Sequence, residues 1–172
     1  MHSSSIPIVR TSIRLVPDAA KVLLRPFVPA DTERGRRILT RLLTLDEASS
    51  DALLRNLLED FATRHLNARS VFMAHFDRVS EMLPKKAVLS DSRKLLIGTY
   101  FTQEYALESA ALFNPSIVPH PDQTGLEPGS LRFIMSLRAT GEGHISSLTF
   151  RTGTILESLQ IRLDPCSPYA TV

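Results

Sequence analysis

The sequence predicts an α+β fold in which a bundle of about four α-helices is followed by antiparallel β-strands. Apolar residues recur at helical spacing in the first two thirds of the chain and at alternate positions after Leu131. Three prolines within seven residues, Pro115, Pro119 and Pro121, exclude helix between these regions. The predicted units are an N-terminal arm with one short strand (1–30), a helical leader (31–113) and a strand region (114–172).

Each helix of the leader is predicted from an apolar stripe and from residues that favour its ends. Asp31 is a plausible N-cap of the first helix, Ser90 caps the fourth, and Pro84 stops the third. The fourth is nearly apolar all round between Leu95 and Phe101, so we expect it to be the most buried. The predicted helices are 34–43, 46–66, 70–83 and one from Ser90 through Arg93, Leu96, Tyr100, Tyr105 and Leu107 that ends before Pro115. In the arm, 21–24 is a short strand.

The strand region is predicted to contain a β-hairpin. Leu131 to Ala139 alternates apolar and polar residues, which places Phe133 and Leu137 on one face together with Leu131 and Met135. Gly141 and Gly143 then suit a connection that needs positive φ, and 145–152 returns. A further short strand is predicted at 159–163. Two strands alone are not stable, and an open sheet edge invites aggregation. We therefore expect either that the sheet is completed in an oligomer or that the chain is truncated.

Composition excludes several classes of protein. The 172 residues carry a net charge of +2, which gives no ground for a nucleic-acid or membrane-surface partner. A single cysteine, Cys166, excludes an internal disulfide framework and fits a reducing compartment. No apolar run approaches membrane-spanning length, and the N-terminus has no core of signal-peptide type. The sequence therefore predicts a cytoplasmic protein without membrane contact.

Outside the strand region, titratable residues have simple structural explanations. His65 and His75 lie in amphipathic helices with no other ligand type at chelating spacing, so no metal site is predicted. Glu104 and Glu108 lie four apart on the predicted fourth helix, where paired carboxylates are more often exposed than catalytic. A basic run favours a solvated helix face over a subunit contact; it comprises Arg34, Arg36, Arg37 and Arg41.

The polar residues between 110 and 151 are the densest cluster that could contact a polar ligand. Each has an alternative explanation: Asn114 could cap a turn before Pro115, Arg138 could be a solvated strand residue, and His144 could bond its own backbone in a turn. The cluster comprises Asn114, His120, Asp122, Arg138, Glu142, His144, Ser146 and Ser147.

Two stretches, FNPSIVPHPDQ and LRFIMSLRATGEGHISSLTFRTG, resemble glycoside hydrolase family 130, the inverting mannoside phosphorylases and related β-mannosidases. The resemblance runs from about Arg14 to Tyr169 and is closest to the subgroup with a helical extension before the catalytic domain. It implies that the strands form the first blade of a five-bladed β-propeller whose central channel is the active site. It also implies that Asn114 and Arg138 bind the mannosyl unit, and that His144, Ser146 and Ser147 line the site.

The chain departs from that family in length, since it has room for about one four-stranded blade. The resemblance places the proton-donating aspartate and the phosphate-binding residues in later blades, beyond Val172, so no catalytic residue is predicted in this chain. The predicted partner is a β-mannoside oligosaccharide, with inorganic phosphate as co-substrate of a phosphorylase and no other cofactor. We expect an N-terminal portion of such an enzyme that is inactive alone.

Two other functions stay open at this point. The chain could be a non-catalytic interaction module that forms a homo-oligomer through its helices, with the strands completing a partner's sheet. A small hydrolase that uses His144 with Ser146 or Ser147 is disfavoured, because such a triad also needs a buried acid and an oxyanion hole.

Overall fold

The computed structural model describes residues 10–85 and 87–170. Four α-helices are flanked by antiparallel strands in this part of the chain, which confirms the α+β class. The elements are β1 (Val22–Pro26), α1 (Thr32–Leu43), α2 (Glu47–Ala62), α3 (Ala68–Val79), α4 (Asp91–Tyr100), β2 (Thr102–Ala106), β3 (Ala111–Pro119), β4 (Leu131–Thr140), β5 (Ser146–Ile155) and β6 (Ile161–Leu163). Single 3₁₀ turns lie at Ser80–Met82 and Glu142–His144.

Side-chain caps fix where three of the helices begin. The Asp31 carboxylate accepts a hydrogen bond from the Glu33 amide at 2.9 Å, and Ser90 accepts one from the Arg93 amide at 3.2 Å, as predicted. Asp46 caps α2 in the same way through the Ser49 amide at 2.7 Å. Each cap satisfies an amide that has no partner inside its own helix.

The helical core is centred on the contact between α3 and α4. Phe72 of α3 and Leu96 and Ile97 of α4 are completely buried, together with Phe101 just after α4. Gly98 permits this packing, because a Cβ atom at that position would overlap the carbonyl oxygen of Phe72. The predicted burial of α4 is confirmed for Leu95, Leu96, Ile97 and Phe101, whereas Tyr100 is exposed.

Arg93 of α4 connects that helix to α1 and α2. Its buried guanidinium donates to the carbonyl oxygens of Leu42 at 3.1 Å and Leu45 at 2.7 Å, at the end of α1. It also donates to the carboxylate of Glu47, in the first turn of α2, at 2.9 Å. The Leu42 and Leu45 carbonyls therefore receive a donor from a helix that is distant in sequence, and Leu42 also accepts from the Leu45 amide at 3.4 Å.

The fourth helix is much shorter than predicted. It ends at Tyr100, and the following residues form β2, which pairs antiparallel with β1 from Val22↔Ala106 to Pro26↔Thr102. The predicted helix through Tyr105 and Leu107 is therefore wrong. Thr, Tyr and Phe in this stretch also favour strand, and β1 supplies the hydrogen-bonding partner that decides between the two conformations. Smaller differences are that α2 ends at Ala62 and α3 at Val79.

The last four strands form one antiparallel sheet in sequential order, β3-β4-β5-β6. The predicted hairpin is confirmed as β4 and β5, and its turn has positive φ at Gly143 (64°) and His144 (59°). Gly141 does not have positive φ. A glycine is needed there because a Cβ atom would overlap the Tyr105 hydroxyl and the Ala106 carbonyl. Leu159, predicted to begin the last strand, lies in a turn before β6.

The two faces of this sheet differ in how they are covered. Phe133, Leu137 and Ala139 are buried on one face, the face on which the alternation places the two larger residues, whereas Leu131 of the same set is 38% exposed. The opposite face leaves Val118, Leu148 and Phe150 exposed by 54%, 68% and 59%. No described helix is long and apolar enough to cross a membrane.

Candidate functional site

Arg138 lies on the open face of the sheet, in the middle of a small polar cluster. Its Nε and Nη2 groups donate to the Ser146 hydroxyl oxygen at 3.1 and 3.0 Å. The guanidinium carbon lies 5.3 Å from the centroid of the Phe113 ring. The ring and the hydroxyl orient the side chain from two sides, and its Nη1 group makes no hydrogen bond within the described residues. An exposed cation with unused donors can bind hydroxyl or carboxylate oxygens.

Asn114 lies beside this cluster, at a β-bulge in β3. The register pairs Phe113 with Arg138 and then Ser116 with Ser136, so Asn114 and Pro115 together oppose one residue of β4. Asn114 has a φ of 53°, in the left-handed region that asparagine tolerates better than most other residues. Bulges redirect side chains and are frequent next to active sites. Asn114 is therefore next in the chain to Phe113, the strand partner of Arg138.

The other residues expected at the site lie elsewhere. Ser147 follows Ser146 in β5 and therefore points to the opposite face of the sheet. His144 is exposed in the hairpin turn, and its side chain makes no hydrogen bond within the described residues. The structure thus brings Arg138 and Ser146 into contact, and Asn114 is next in the chain to Phe113, which contacts Arg138. Among the described residues, His144 makes no hydrogen bond to either serine, the first contact that a serine hydrolase would need.

A second polar cluster, which we call the Glu108 cluster, lies on the opposite face of the sheet. Glu108 is 1% exposed and pairs with Arg151, 8% exposed, with Nη2 and Oε1 2.8 Å apart. The Thr149 hydroxyl donates to the same oxygen at 3.1 Å, and the Asp18 amide donates to Oε2 at 3.3 Å. The expectation that Glu108 is exposed on a helix beside Glu104 is wrong, because α4 has ended before either residue.

The Glu108 cluster forms part of the wall of a pocket of about 310 Å³. The pocket lies between β5, the chain before β3 and the segment after β6. It is lined by Lys21, Leu107, Glu108, Ser147, Leu148, Thr149, Phe150, Arg151, Pro165, Cys166, Ser167, Tyr169 and Ala170. No spacing pattern in the sequence marks it, because its walls come from four separate stretches of chain.

Glu104 of β2 joins the strands to the helical region. Its carboxylate lies 2.8 Å from Nε of Arg64 and 2.7 Å from Nε2 of His65. Burial acts to raise the pKa of Glu104, but the hydrogen bonds and charges of Arg64 and His65 lower that pKa overall. This group holds the end of α2 against β2, which is a structural role.

His75 also has a structural role. Its Nδ1 atom lies 2.7 Å from the Thr102 hydroxyl, which donates its only proton to the Gly98 carbonyl at 2.7 Å. The histidine must therefore donate from Nδ1. Burial and the nearby charge of Arg78 lower the pKa of His75, so the ring is neutral at neutral pH. Within residues 10–85 and 87–170, no three histidine, cysteine or acidic side chains are placed to hold a metal ion.

Comparison with known proteins finds no similar protein. No protein-family model matches the chain, and neither a curated protein nor a solved structure matches it.

Proposed function

We propose that this chain is the N-terminal part of a glycosidase or inverting mannoside phosphorylase of glycoside hydrolase family 130. The observation that carries the proposal is the position of Asn114. This residue, which the resemblance assigns to sugar binding, has a left-handed backbone at a bulge beside Phe113, and Phe113 contacts Arg138. Left-handed conformation in a residue other than glycine is concentrated at functional sites.

The sheet itself is consistent with a propeller blade. A blade is a four-stranded antiparallel sheet, and β3 to β6 form such a sheet in sequential order. Blades are covered by neighbouring sheets, and the exposed residues Val118, Leu148 and Phe150 offer an apolar face for such a neighbour. These features support the assignment of residues 111–163 to a first blade.

In this proposal the chain binds the sugar and another part of the enzyme supplies the acid. The Asn114 amide can both donate to and accept from sugar hydroxyls, while the Arg138 guanidinium only donates. The half-buried Phe113 ring can pack its accessible part against the apolar face of a pyranose. In the complete enzyme an aspartic acid protonates the glycosidic oxygen, and phosphate or water attacks the anomeric carbon from the opposite side.

The test is binding of β-1,2-mannobiose to the 172-residue chain, measured by calorimetry and by ligand-dependent thermal unfolding. We expect weak binding that Arg138→Met abolishes. Arg162→Met is the matched control, because Arg162 is an exposed arginine of β6 in the same sheet. Unchanged binding by Arg138→Met, or absence of mannoside binding, would contradict the proposal.

Asn114→Gly separates sugar binding from backbone geometry. Glycine adopts positive φ without strain, so the variant keeps the bulge and loses only the amide. We expect Asn114→Gly to unfold at the same temperature as the parent chain or a higher one, and to lose mannobiose binding. If Asn114 serves only the bulge, the variant will bind normally. Turnover of mannobiose by the chain alone would show that the acid is present within it.

A second candidate function, a helical interaction module that self-associates, is favoured by one observation. Arg34, Arg37 and Arg41 are exposed and lie on one face of α1 at spacings of three and four residues. The acidic residues Glu59 and Asp60 are exposed on α2. This function predicts association that weakens with added salt and with Arg37→Glu/Arg41→Glu in sedimentation experiments. A monomer at all concentrations would exclude it.

A further inference from the structure

The pocket beside the Glu108 cluster has the properties of a small-molecule site. Its volume of about 310 Å³ falls at the lower end of the range for ligand pockets. Leu107 and Pro165 form apolar parts of the pocket wall. Hydroxyl groups in the wall come from Ser147, Ser167 and Tyr169. A few polar groups that converge in a partly apolar cavity are typical of a site for an organic ligand.

The charges that face this pocket do not cancel. Both oxygens of Glu108 already accept hydrogen bonds, from Arg151, Thr149 and the Asp18 amide. The Glu108 carboxylate thus neutralises Arg151 and has little capacity for a further cation. Lys21 also lines the pocket and makes no ion pair within the described residues. One positive charge is therefore in excess.

Arg151 also has an unused donor at the pocket wall. Its Nη1 group donates to the Thr149 hydroxyl at 2.8 Å and to the Phe150 carbonyl at 3.0 Å, and its Nη2 group donates to Glu108. The Nε–H group takes no part in these bonds and has no acceptor within residues 10–85 and 87–170. It is not among the fully buried polar atoms of these residues, so it is accessible to water and to a ligand that enters the pocket.

We propose that this pocket binds the oxyanion group of a small organic acid, a carboxylate or a phosphate monoester. The Arg151 Nε–H and the Lys21 ammonium group hold the oxyanion. Hydroxyl groups of Ser147, Ser167 and Tyr169 contact the remainder of the ligand. The buried pair with Glu108 holds the guanidinium in place, so its orientation is set before the ligand arrives. A cation is disfavoured by the excess positive charge.

This site is separate from the Arg138 cluster and does not rest on the proposed sugar-binding function. Ser147 and Ser146 are neighbours in β5 and point to opposite faces of the sheet. Binding in the pocket should therefore change the resonances of residues around Arg151, whereas binding on the other face should change those of residues around Arg138.

The experiment is a titration of the isotopically labelled full chain, observed through arginine Nε–H resonances in ¹H–¹⁵N spectra. The ligands are lactate and glycerol 3-phosphate at millimolar concentration, with sodium chloride at matched ionic strength and glycerol as controls. The Arg151 resonance is assigned by its loss in Arg151→Lys. We expect it to move with an oxyanion and not with chloride or glycerol. A response to lactate alone identifies a carboxylate site, and a response to glycerol 3-phosphate alone identifies a phosphate ester site.

Variants at the wall complete the test. Lys21→Met should weaken binding about tenfold, the loss expected for one charge-assisted contact, while Arg162→Met should have no effect. The amide spectrum of Lys21→Met shows whether that variant is folded. The proposal is overturned if the Arg151 resonance does not move, if chloride moves it equally, if Lys21→Met binds normally, or if the affected resonances surround Arg138.

Discussion

The buried pair of Glu108 and Arg151 allows a quantitative test of how the sheet is held against the chain that precedes it. Arg151→Met removes the cation and leaves the Glu108 carboxylate 1% exposed with no charged partner. Breaking such a pair by removing one member costs about 3–5 kcal/mol. The Thr149 hydroxyl and the backbone amide of Asp18 still donate to the Glu108 carboxylate, but these neutral groups cannot compensate its buried charge. We expect a loss of about 3 kcal/mol or more.

The double variant Glu108→Leu/Arg151→Met removes both charges and fills the space with apolar atoms. Replacing a whole buried pair costs much less than breaking it. The double variant should therefore be more stable than Arg151→Met alone, with a coupling free energy of about 2 kcal/mol or more.

Urea denaturation followed by circular dichroism measures these free energies of unfolding. The control is Lys94→Met, which breaks the pair of Lys94 with the exposed Asp91 at 2.9 Å and should cost less than about 1 kcal/mol. The reasoning is refuted if Arg151→Met costs no more than the control, or if the losses of Arg151→Met and of the single variant Glu108→Leu simply add in the double variant.

Three further predictions concern the helical region. Gly98→Ala should lose about 2 kcal/mol or more, because overlap with the Phe72 backbone outweighs the gain in helix propensity. A Cβ atom at Gly35 meets the flexible Met82 side chain at 3.2 Å and is in ordinary contact with Phe101 at 4.0 Å, so Gly35→Ala should be neutral or stabilising in the same urea assay. A similar loss in Gly35→Ala would exclude the explanation for Gly98. Arg93→Met should cost about 3 kcal/mol in that assay, because the Leu42 and Leu45 carbonyls and the Glu47 carboxylate lose their guanidinium donor; a change below about 1 kcal/mol would argue against this role. Because the folded-state pKa of His75 lies below its ordinary value of 6.5, the unfolded chain takes up the proton first as pH falls. The free energy of unfolding should therefore decrease as pH falls from about 6.5 towards that lower pKa, and His75→Gln should remove this slope; a slope unchanged in the variant would assign it to another group.

Local patterns were sufficient to predict the hairpin and most of the helices. Alternation from Leu131 to Ala139 and the glycines that follow specify β4, the turn and β5 without reference to the rest of the chain. The end of α4 could not be found in this way, because apolar residues continue past Tyr100. What ends the helix is the pairing of β2 with β1, about eighty residues earlier in the chain. Non-local pairing of this kind leaves no periodic signal in either segment.

In the candidate site, too, local contacts could be predicted from the sequence and long-range ones could not. Contact between Arg138 and Ser146 follows from the hairpin, since the two residues are eight apart and lie near its turn. The positive φ of Asn114 was not predicted, because a residue before proline ordinarily favours extended backbone. Burial of Glu108 was not predicted either, since its partner Arg151 lies 43 residues further along the chain. Long-range pairs are beyond the reach of a single sequence.

The link made by Arg93 has a consequence for the order in which the chain can fold during synthesis. Leu42 and Leu45 are translated 51 and 48 residues before Arg93, so their carbonyl groups meet water while their eventual donor is still absent. The corner between α1 and α2 cannot reach its final form until α4 has emerged. We expect nascent chains that stop before α4 to be easily digested by proteases in this corner, and chains that extend past it to be protected.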